Sequence, residues 1–457
     1  MKPIYADLKH NSGTPLYVQL YDYIKEGVMR GDFLAGERLP SLRDLSEQLS
    51  VSITTCARAY DQLIIEGYLR SRPNSGFYVS SVPGPDRSAG GSRESGPSYE
   101  GQDKKDPPKY RCDPDSFDFA KWRKCFTKVM NEKSEEMLTP QDPQGEYALR
   151  SEISRYLYSA RGVKAGPGDI VIGAGVQQLT SRLAGMLREI GIDFVSVEDP
   201  GYMPVRHIFS DFGFNICPVP VKEDGIEIER LPVNIGTAVY VSPSNQFPTG
   251  SVMPAARRYR LLEWAEQNGS VVIEDDYDSE LRYFGSPVPA LKSIDGAGRV
   301  VYLGSFSSTL FPAIRISYMV LPPELSALSR ESMTRYDQTC SKAEQLVLAE
   351  YMKNGSYQTG IRKLRKLYSR KLAEVLSAFS RYGGGTVTAR NTKSGISVRL
   401  DVASEKPNES LLLDAEKLRL HMISLGGGPG KLMLYYDQIP LNEIDGAVKD
   451  ICAAWRK

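Results

Sequence analysis

The apolar positions of the first 80 residues repeat with the period of an α-helix. A first helix is predicted from the spacing of its apolar face, Leu16, Leu20, Ile24 and Val28. Thr14-Pro15 offers a cap and a first turn, and Gly31 ends the helix. Ser41 can cap a second, short helix, and Ser52 can cap a third. The third helix is expected to bury Cys56, Ala59, Tyr60 and Leu63.

The second and third helices are joined by about three residues, which is the spacing of a helix-turn-helix. Thr54 and Arg58 point away from the apolar face of the third helix, where side chains of such motifs reach the major groove of DNA. Residues 68–79 then form two short apolar stretches around the turn at Pro73-Asn74-Ser75-Gly76. The pattern predicts a small α+β domain over residues 1–80, with a β-hairpin as a wing beside the recognition helix.

Residues 81–111 differ in composition from both flanks. Between Pro83 and Tyr110 there is no Leu, Ile, Val, Met, Phe or Trp, and Pro, Gly, Ser and mixed charge dominate. Such a stretch cannot bury enough apolar surface to order itself. We therefore expect a flexible linker with an average span of about 30 Å.

From residue 112 to 457, short apolar runs alternate with helical stretches, as in an α/β domain. The last part, roughly 355–457, is expected to form a small subdomain. Five strands are predicted at residues 170–172, 194–197, 237–241, 270–273 and 300–303. A glycine-rich or polar segment follows each strand. Because ligands of open α/β sheets bind beyond the carboxyl ends of the strands, these segments are expected to meet in one pocket.

Each of these segments is ambiguous when taken singly. Gly173-Ala174-Gly175 before a helix could cradle an anion or could simply form a turn. Asp275 at a strand end could serve as a cap or an ion-pair partner as well as a functional carboxylate. Tyr202 after a Pro-Gly pair could pack against the core or stack on a ligand.

Composition narrows the class of protein. With 457 residues, 41% hydrophobic and 25% charged, the chain suits two or more water-soluble domains. No run approaches the ~18 apolar residues of a membrane span, and no secretory signal is evident, so a cytoplasmic location is expected. The net charge is +1, and residues 1–80 hold nine Lys/Arg against nine Asp/Glu, so charge alone does not indicate a nucleic-acid partner. The six cysteines and three histidines lack metal-ligand spacings, which predicts reduced thiols and no metal site.

The motifs of the first domain resemble the GntR-type winged helix. Five separated pieces occur in the order of that family, at residues 39–45, 51–55, 59–63, 66–69 and 75–79. The resemblance implies a double-stranded DNA operator as partner, with Thr54 and Arg58 at base edges and Thr55 among the phosphate contacts. The DNA-binding residues that it implies are Arg38, Ser41, Arg43, Ser52, Thr54, Thr55, Arg58 and Gly76. Ile53 departs from the family, which usually has a basic residue there.

The strand-end segments of the large domain, in their order, resemble the fold-type I aminotransferases, which depend on pyridoxal phosphate. A GntR-type reader fused to such a domain is the architecture of the MocR subfamily of transcriptional regulators. Residues 243–250, 274–280 and 315–320 are close to that subfamily's motifs. The cofactor-binding residues that the resemblance implies are Gly175, Val176, Gln177, Tyr202, Asn245, Asp275, Tyr277, Ser305, Ser307 and Arg315.

The resemblance also implies roles for these residues. Tyr202 is expected to stack on the pyridine ring, Asp275 to pair with the ring nitrogen, and Tyr277 to approach the ring hydroxyl. The phosphate would be held by Gly175, Val176, Gln177, Ser305, Ser307 and Arg315. Asn245 stands where the subfamily often has histidine.

Ser308 occupies the position at which this family carries its Schiff-base lysine. A serine has no amine to bond the cofactor aldehyde or to move the α-proton, and no lysine lies between Lys292 and Lys342. Transamination is therefore not expected. Two interpretations remain open: the pocket binds pyridoxal phosphate or pyridoxamine phosphate without a covalent bond, or it has drifted to another ligand or to a scaffold role in dimerisation. Lys431 is the cation nearest to where the family often has a carboxylate-binding arginine.

The sequence thus predicts a homodimeric transcriptional regulator with a small α+β winged helix-turn-helix domain and a large α/β aminotransferase-like domain of fold-type I. The large domain is expected to sense a small-molecule effector related to pyridoxal phosphate or to an amino acid. A pyridoxal phosphate-dependent aminotransferase is the alternative, and a regulator that senses an unrelated ligand is a second one.

Overall fold

The computed structural model describes residues 4–6, 8–9, 13–72, 75–81, 113–283, 289–332, 335–390, 395–425 and 428–456. The chain divides into two compact units, Met1–Lys105 and Asp106–Lys457. Apart from Ser81, the predicted linker of residues 81–111 lies outside the described residues. The predicted domain limits at residues 80 and 112 therefore stay predictions.

The first unit has the predicted winged-helix elements. They are α1 (Leu16–Arg30), α2 (Leu42–Leu49), α3 (Ile53–Ile65), β1 (Leu69–Arg72) and β2 (Gly76–Val79). Ser41 Oγ accepts a hydrogen bond from the Asp44 N–H, and Ser52 Oγ accepts one from the Thr55 N–H, which confirms both predicted caps. The predicted cap at Thr14 is wrong, because Pro15 itself takes the N-cap position and α1 begins at Leu16.

The buried face of α3 consists of the four predicted residues, Cys56, Ala59, Tyr60 and Leu63. They belong to one core with the apolar faces of α1 and α2 and the inward residues of the hairpin, Leu69 and Val79. The opposite face of α3, which carries Thr54 and Arg58, is exposed.

The second unit alternates helices and strands. Its helices are α4 (Phe119–Glu132), α5 (Tyr147–Arg161), α6 (Val176–Glu189), α7 (Met203–Asp211), α8 (Ala255–Gln267), α9 (Leu291–Ile294), α10 (Pro323–Ser332), α11 (Lys342–Lys353), α12 (Ser356–Tyr382), α13 (Asn408–Lys417) and α14 (Ile444–Trp455). Its strands are β3 (Ile170–Gly173), β4 (Phe194–Asp199), β5 (Asn215–Lys222), β6 (Gly225–Ile226), β7 (Ala238–Val241), β8 (Val271–Asp275), β9 (Val300–Ser305), β10 (Ser317–Val320), β11 (Val387–Arg390), β12 (Ser397–Val402), β13 (Met422–Ser424) and β14 (Lys431–Tyr435). The five strands predicted from the sequence are β3, β4, β7, β8 and β9. None of the helices in the described ranges has the length and apolarity needed to cross a bilayer.

Eight of these strands form one mixed sheet in the order β3-β10-β9-β8-β7-β4-β5-β6. The strands from β9 to β5 are parallel neighbours, whereas β10 runs antiparallel to both β9 and β3. The five predicted strands consequently all point the same way, and their carboxyl ends lie along one edge of the sheet. This confirms the predicted α/β architecture.

Both faces of this sheet are covered, because successive side chains point to opposite sides. Ile170 and Ile172 of β3 join the core on one face, and Val171 joins the core on the other. In β9, Tyr302 belongs to the first core, while Val301 and Leu303 belong to the second. The register of each strand is therefore fixed by two cores at once.

A second sheet, β11-β12-β14-β13, follows α12. Together with α12, α13 and α14 it has its own apolar core, which includes Leu432 and Leu434 of β14. Residues 431, 433 and 435 of β14 consequently face the other side of this sheet.

The described cysteines are free thiols: Cys56, Cys125, Cys217, Cys340 and Cys452. Cys112 lies outside the described residues.

Helix α12 carries a lysine that is fully buried. Lys371 Nζ lies 2.5 Å from Asp113 Oδ2 and donates a hydrogen bond to the backbone carbonyl of Asp437 at 2.8 Å. Asp113 is itself 5% exposed and is the first described residue after the predicted linker. Removing one member of a buried ion pair leaves the other charge without compensation, which costs more than losing the pair altogether.

We expect Lys371→Met to lower the free energy of unfolding by about 3–5 kcal/mol, because the Asp113 carboxylate stays buried without its cation. Urea unfolding followed by tryptophan fluorescence would measure this loss. The double variant Lys371→Met/Asp113→Asn should recover part of it. Lys128→Met is the control, because Lys128 is half-exposed and pairs with Glu350 at 2.9 Å. Loss of such an exposed ion pair should lower the free energy of unfolding by about 1 kcal/mol or less. Equal destabilisation by the two single variants would contradict the argument.

Candidate functional site

A cavity of about 300 Å³ lies at the carboxyl edge of the eight-stranded sheet. It is lined by Gly175, Val176, Gln177, Tyr202, Ser242, Phe247, Asp275, Asp276, Tyr277, Asp278, Ser305, Ser307, Ser308, Arg315 and Tyr435. The structure thus brings together nine of the ten residues predicted to bind a cofactor. All nine follow or end a strand of the sheet, as the strand-end argument expects.

One part of the cavity is suited to an anion. Helix α6 begins directly after Gly175, and the first backbone amides of a helix have no acceptor inside it. The Arg315 guanidinium lies against Gly175, which has a φ of 102° and where any Cβ would overlap Arg315 Nη2. Ser305 Oγ accepts a hydrogen bond from Ser317 Oγ at 3.0 Å and donates one to Ser307 Oγ at 3.3 Å. Amides, hydroxyls and a guanidinium form a donor set for a phosphate or a carboxylate.

Asp275 ends β8 and borders the cavity. Tyr240 Oη of the neighbouring β7 donates a hydrogen bond to Asp275 Oδ2 at 2.6 Å. Burial raises the pKa of Asp275 to about 6, against the lowering effect of the Tyr240 hydrogen bond and with a smaller rise from Asp276. The group is therefore mainly a carboxylate at neutral pH, and it can accept a hydrogen bond from a protonated ring nitrogen.

Aromatic side chains form another part of the wall. Tyr202 is 37% exposed, and its hydroxyl accepts a hydrogen bond from Gln177 Nε2 at 3.2 Å. The Tyr202 and Tyr277 rings each lie 6.3 Å from the ring of Phe247, edge to face. The partly exposed Tyr202 ring leaves a flat apolar surface available to a planar ligand.

Asp276 follows Asp275 and is buried in an ion pair. Arg161 Nη2, at the end of α5, lies 2.7 Å from Asp276 Oδ1. Tyr302 Oη and Ser279 Oγ donate hydrogen bonds to Asp276 Oδ2 at 2.5 and 2.7 Å. Burial opposes ionisation, but Arg161 and these hydroxyls hold the pKa of Asp276 below its usual range.

Glu274 and Glu280, on either side in sequence, are also buried and also have partners. Glu274 accepts hydrogen bonds from the backbone N–H groups of Leu291 and Lys292, at the start of α9, at 2.8 and 2.9 Å. Glu280 Oε1 accepts a hydrogen bond from Tyr156 Oη at 3.1 Å. Both carboxyl groups are buried and are not among the described residues that line the cavity.

Ser308 lies beside Asp278, whose side chain is 3% exposed. Burial, together with Asp437 and Asp275, raises the pKa of Asp278 to about 7, while the nearby hydroxyls of Ser308 and Tyr277 lower it. Within the part of the chain that the structure describes, neither carboxylate oxygen of Asp278 has a hydrogen-bond partner.

Two residues singled out in the sequence are not among the described residues that line the cavity. Asn245 is not among the described residues that line the cavity; it is buried, with Nδ2 3.1 Å from where a Cβ of Gly395 would stand. Lys431 is not a cation of the cavity, because its Nζ lies 2.6 Å from Asp401 Oδ1 and is engaged there. Arg390 Nε binds the second oxygen of the same carboxylate at 2.5 Å.

Several lining residues were not predicted. Ser242 follows β7, and Asp276 and Asp278 belong to the polar run after β8. Their positions beyond the carboxyl ends of these strands could therefore have predicted them as lining residues. Phe247 lies further along the segment after β7. Tyr435 comes from β14 of the second sheet, the strand that the resemblance connects with the site through Lys431 and not through Tyr435.

The residues predicted to bind DNA lie on α2 and α3, at the N-caps of these helices, just before α2 and at the start of β2. Arg38, Arg43, Ser52, Thr54 and Arg58 are exposed. The Arg58 guanidinium lies 5.9 Å from the centre of the Tyr17 ring of α1. Ser41 and Ser52 are engaged as helix caps, and Thr55 Oγ1 lies 2.8 Å from Ser52 Oγ. Gly76, with a φ of 109°, allows Arg38 to lie against the hairpin, since its Cβ would be 3.2 Å from Arg38 Nε.

Both units match known families. Residues 16–79 match the bacterial regulatory proteins of the gntR family, and residues 110–381 match aminotransferase class I and II. YdeL of Bacillus subtilis (strain 168), named an uncharacterized HTH-type transcriptional regulator, is 40% identical over 459 residues, with 98% of each chain covered. PdxR of Corynebacterium glutamicum, named an HTH-type pyridoxine biosynthesis transcriptional regulator, is 33% identical over 80% of each chain. MocR of Rhizobium meliloti, named a probable rhizopine catabolism regulatory protein, is 31% identical over 85% of this chain and 82% of its own.

The fold of the large unit is also found among solved structures. Kynurenine aminotransferase of Pyrococcus horikoshii superposes on 76% of this chain and 89% of its own, with a TM-score of 0.66 at 23% identity. A winged helix of the gntR type joined to an aminotransferase fold defines a class of transcriptional regulators. The chain belongs to the MocR subfamily of these transcriptional regulators.

We expect Arg58→Ala to weaken binding to the native promoter region by about 1–3 kcal/mol and to relax discrimination at one base position, because the exposed guanidinium of α3 would contact a base edge. Fluorescence anisotropy with promoter fragments would measure both effects. Arg30→Ala is the matched control, since Arg30 is an exposed arginine at the end of α1 that pairs with Glu26 and Asp32. Unchanged binding by Arg58→Ala would show that α3 is not the recognition helix.

Proposed function

We propose that this regulator binds a double-stranded operator through its winged helix and binds pyridoxal phosphate or pyridoxamine phosphate, without a covalent bond, in the cavity of its large unit. The observation that carries the proposal is an anion-binding and ring-binding set assembled around a serine at position 308. The bound molecule would act as an effector and would not take part in transamination.

The side chains present fit the phosphate and the ring of these molecules. The amides at the start of α6, the Ser305 and Ser307 hydroxyls and the Arg315 guanidinium would hold the phosphate. Asp275 would pair with the ring nitrogen, and the half-exposed Tyr202 ring would lie on one face of the pyridine. The packing of Arg315 against Gly175 supports this assignment, because it holds the cation where the first amides of α6 begin.

The lysines nearest in sequence to Ser308 support a non-covalent mode. Lys292 Nζ donates a hydrogen bond to the Val300 carbonyl at 2.7 Å and lies 3.5 Å from Asp295. Lys342 Nζ donates to Thr139 Oγ1 at 2.7 Å. No lysine is among the described residues that line the cavity, so covalent attachment and α-proton transfer have no side-chain amine to perform them.

A regulator of this design would respond to the effector through differential affinity. The ligand would stabilise one of two arrangements of a homodimer, and the operator would bind one of them better. The name of PdxR, a pyridoxine biosynthesis regulator of similar sequence over 80% of both chains, supports an effector of the same chemical class. An operator with two half-sites would suit such a dimer.

Titration calorimetry tests the proposal directly. Pyridoxal phosphate or pyridoxamine phosphate should bind the purified protein, and Arg315→Ala should abolish or strongly weaken the binding. Borohydride treatment of the complex, followed by peptide mapping, should yield no modified lysine. A lysine adduct would favour an enzyme, and the absence of heat with both compounds would favour an unrelated ligand.

Ser308→Lys should create a covalent attachment, because it restores an amine beside an otherwise complete site. A visible absorbance band with pyridoxal phosphate, together with a borohydride-trapped adduct at residue 308, would demonstrate it. Ser159→Lys, at the exposed end of α5, is the control for non-specific reaction of added lysines. If Ser308→Lys yields no more trapped adduct than this control, the surrounding residues do not hold pyridoxal phosphate beside position 308 as proposed.

A further inference from the structure

The carboxylates at the end of β8 differ in whether other residues of the protein supply them with a hydrogen-bond donor or a positive charge. Asp275 accepts from Tyr240, Asp276 pairs with Arg161, and the two neighbouring glutamates accept from backbone N–H groups or a tyrosine hydroxyl. Asp278 is buried as Asp276 and the two glutamates are, yet neither of its oxygens has a hydrogen-bond partner among the described residues. Leaving a buried carboxylate without donors is costly, so its burial calls for a partner from elsewhere.

Among the described residues that line the cavity, none places a positive charge beside Asp278. Among the described residues that line the cavity, Arg315 is the one with a positive charge, and it lies against Gly175 at the start of α6. The groups facing Asp278 are the hydroxyls of Ser308 and Tyr277 and two further carboxyl groups, Asp275 and Asp437. This part of the cavity is therefore short of positive charge.

We propose that Asp278 binds the protonated amine of a small ligand whose anionic group is held at Arg315. The proposal rests on the proposed function, within which the ligand is pyridoxamine phosphate, the form that carries an ammonium. Asp278 would then be the residue that distinguishes the amine form from forms with an uncharged group at the same position. The serine at 308 fits this role, because a lysine there would place its own ammonium beside Asp278 and compete with the ligand.

The ionisation of Asp278 is consistent with such a role. Its pKa of about 7 follows mainly from burial, so without a ligand the group is divided between acid and carboxylate at neutral pH. A neighbouring ammonium favours the carboxylate and forms a charge-assisted hydrogen bond with it. Asp275 is less suited to the amine, because Tyr240 already occupies one of its oxygens.

The test compares four compounds on the full-length protein by calorimetry. Pyridoxamine phosphate carries the ammonium, pyridoxine phosphate has a hydroxyl in its place, and pyridoxal phosphate has an aldehyde. β-Alanine carries an ammonium and a carboxylate without the ring. We expect pyridoxamine phosphate to bind at least about tenfold more tightly than pyridoxine phosphate, in keeping with a hydrogen bond between charged groups. Asp278→Asn should remove this preference and leave the affinity for pyridoxine phosphate unchanged within a factor of about three.

The control is Asp199→Asn. Asp199 is an exposed residue at the end of β4 and is not among the described residues that line the cavity, so this variant should keep the full preference for pyridoxamine phosphate. The comparison of compounds on the wild-type protein stands even if Asp278→Asn does not fold.

Equal affinities for pyridoxamine and pyridoxine phosphates would overturn the role of Asp278 and leave the proposed function intact. If β-alanine is the only one of the four compounds that binds, and Asp278→Asn abolishes its binding, the result would support recognition of an ammonium and overturn the proposed function. No binding of any compound would overturn both.

Discussion

The cavity of the large unit depends on five carboxyl groups within seven residues, from Glu274 to Glu280, of which four are buried and Asp275 is partly buried. Each buried carboxylate loses its hydration, a cost of several kcal/mol unless donors replace the water. The partners come from separate elements: Arg161 from the end of α5, backbone amides from the start of α9, Tyr240 from β7 and Tyr156 from the middle of α5. The edge of the sheet is therefore held in place by polar contacts that converge from several directions, and the cavity wall is formed before any ligand arrives.

This arrangement separates charge within a small volume. The guanidinium of Arg315 and the first amides of α6 attract an anion, whereas the carboxyl groups after β8 repel one and attract a cation. A ligand with both charges has one favourable orientation in such a field. On the proposed function, this separation of charge would let the regulator distinguish small molecules that differ in one charged group.

The positions of the strands could be predicted because each is a short apolar run followed by a polar or glycine-rich segment. The direction of β3, β4, β7, β8 and β9 then placed Gly175, Tyr202, Asp275 and Ser305 at one edge without further information. Contacts from outside these strands could not be predicted in this way. Tyr435 reaches the cavity from β14, and Lys431 turns to Asp401, because cross-strand pairing in the second sheet decides both outcomes. Asn245 shows that position along a strand-end segment does not decide which side chains line the cavity, since Ser242 and Phe247 of the same segment do so and the buried Asn245 between them does not.

The double-sided burial of β9 also constrains how this chain can vary in length. Tyr302 and Leu303 belong to cores on opposite faces, so one inserted residue within Val300–Ser305 would exchange the two faces and move Ser305, Ser307 and Ser308 away from the edge. Substitutions at 308 leave this spacing untouched. Insertions and deletions among homologues should therefore be excluded from the central strands and gather in the turns at the opposite edge of the sheet, where a change in length displaces no residue of the cavity.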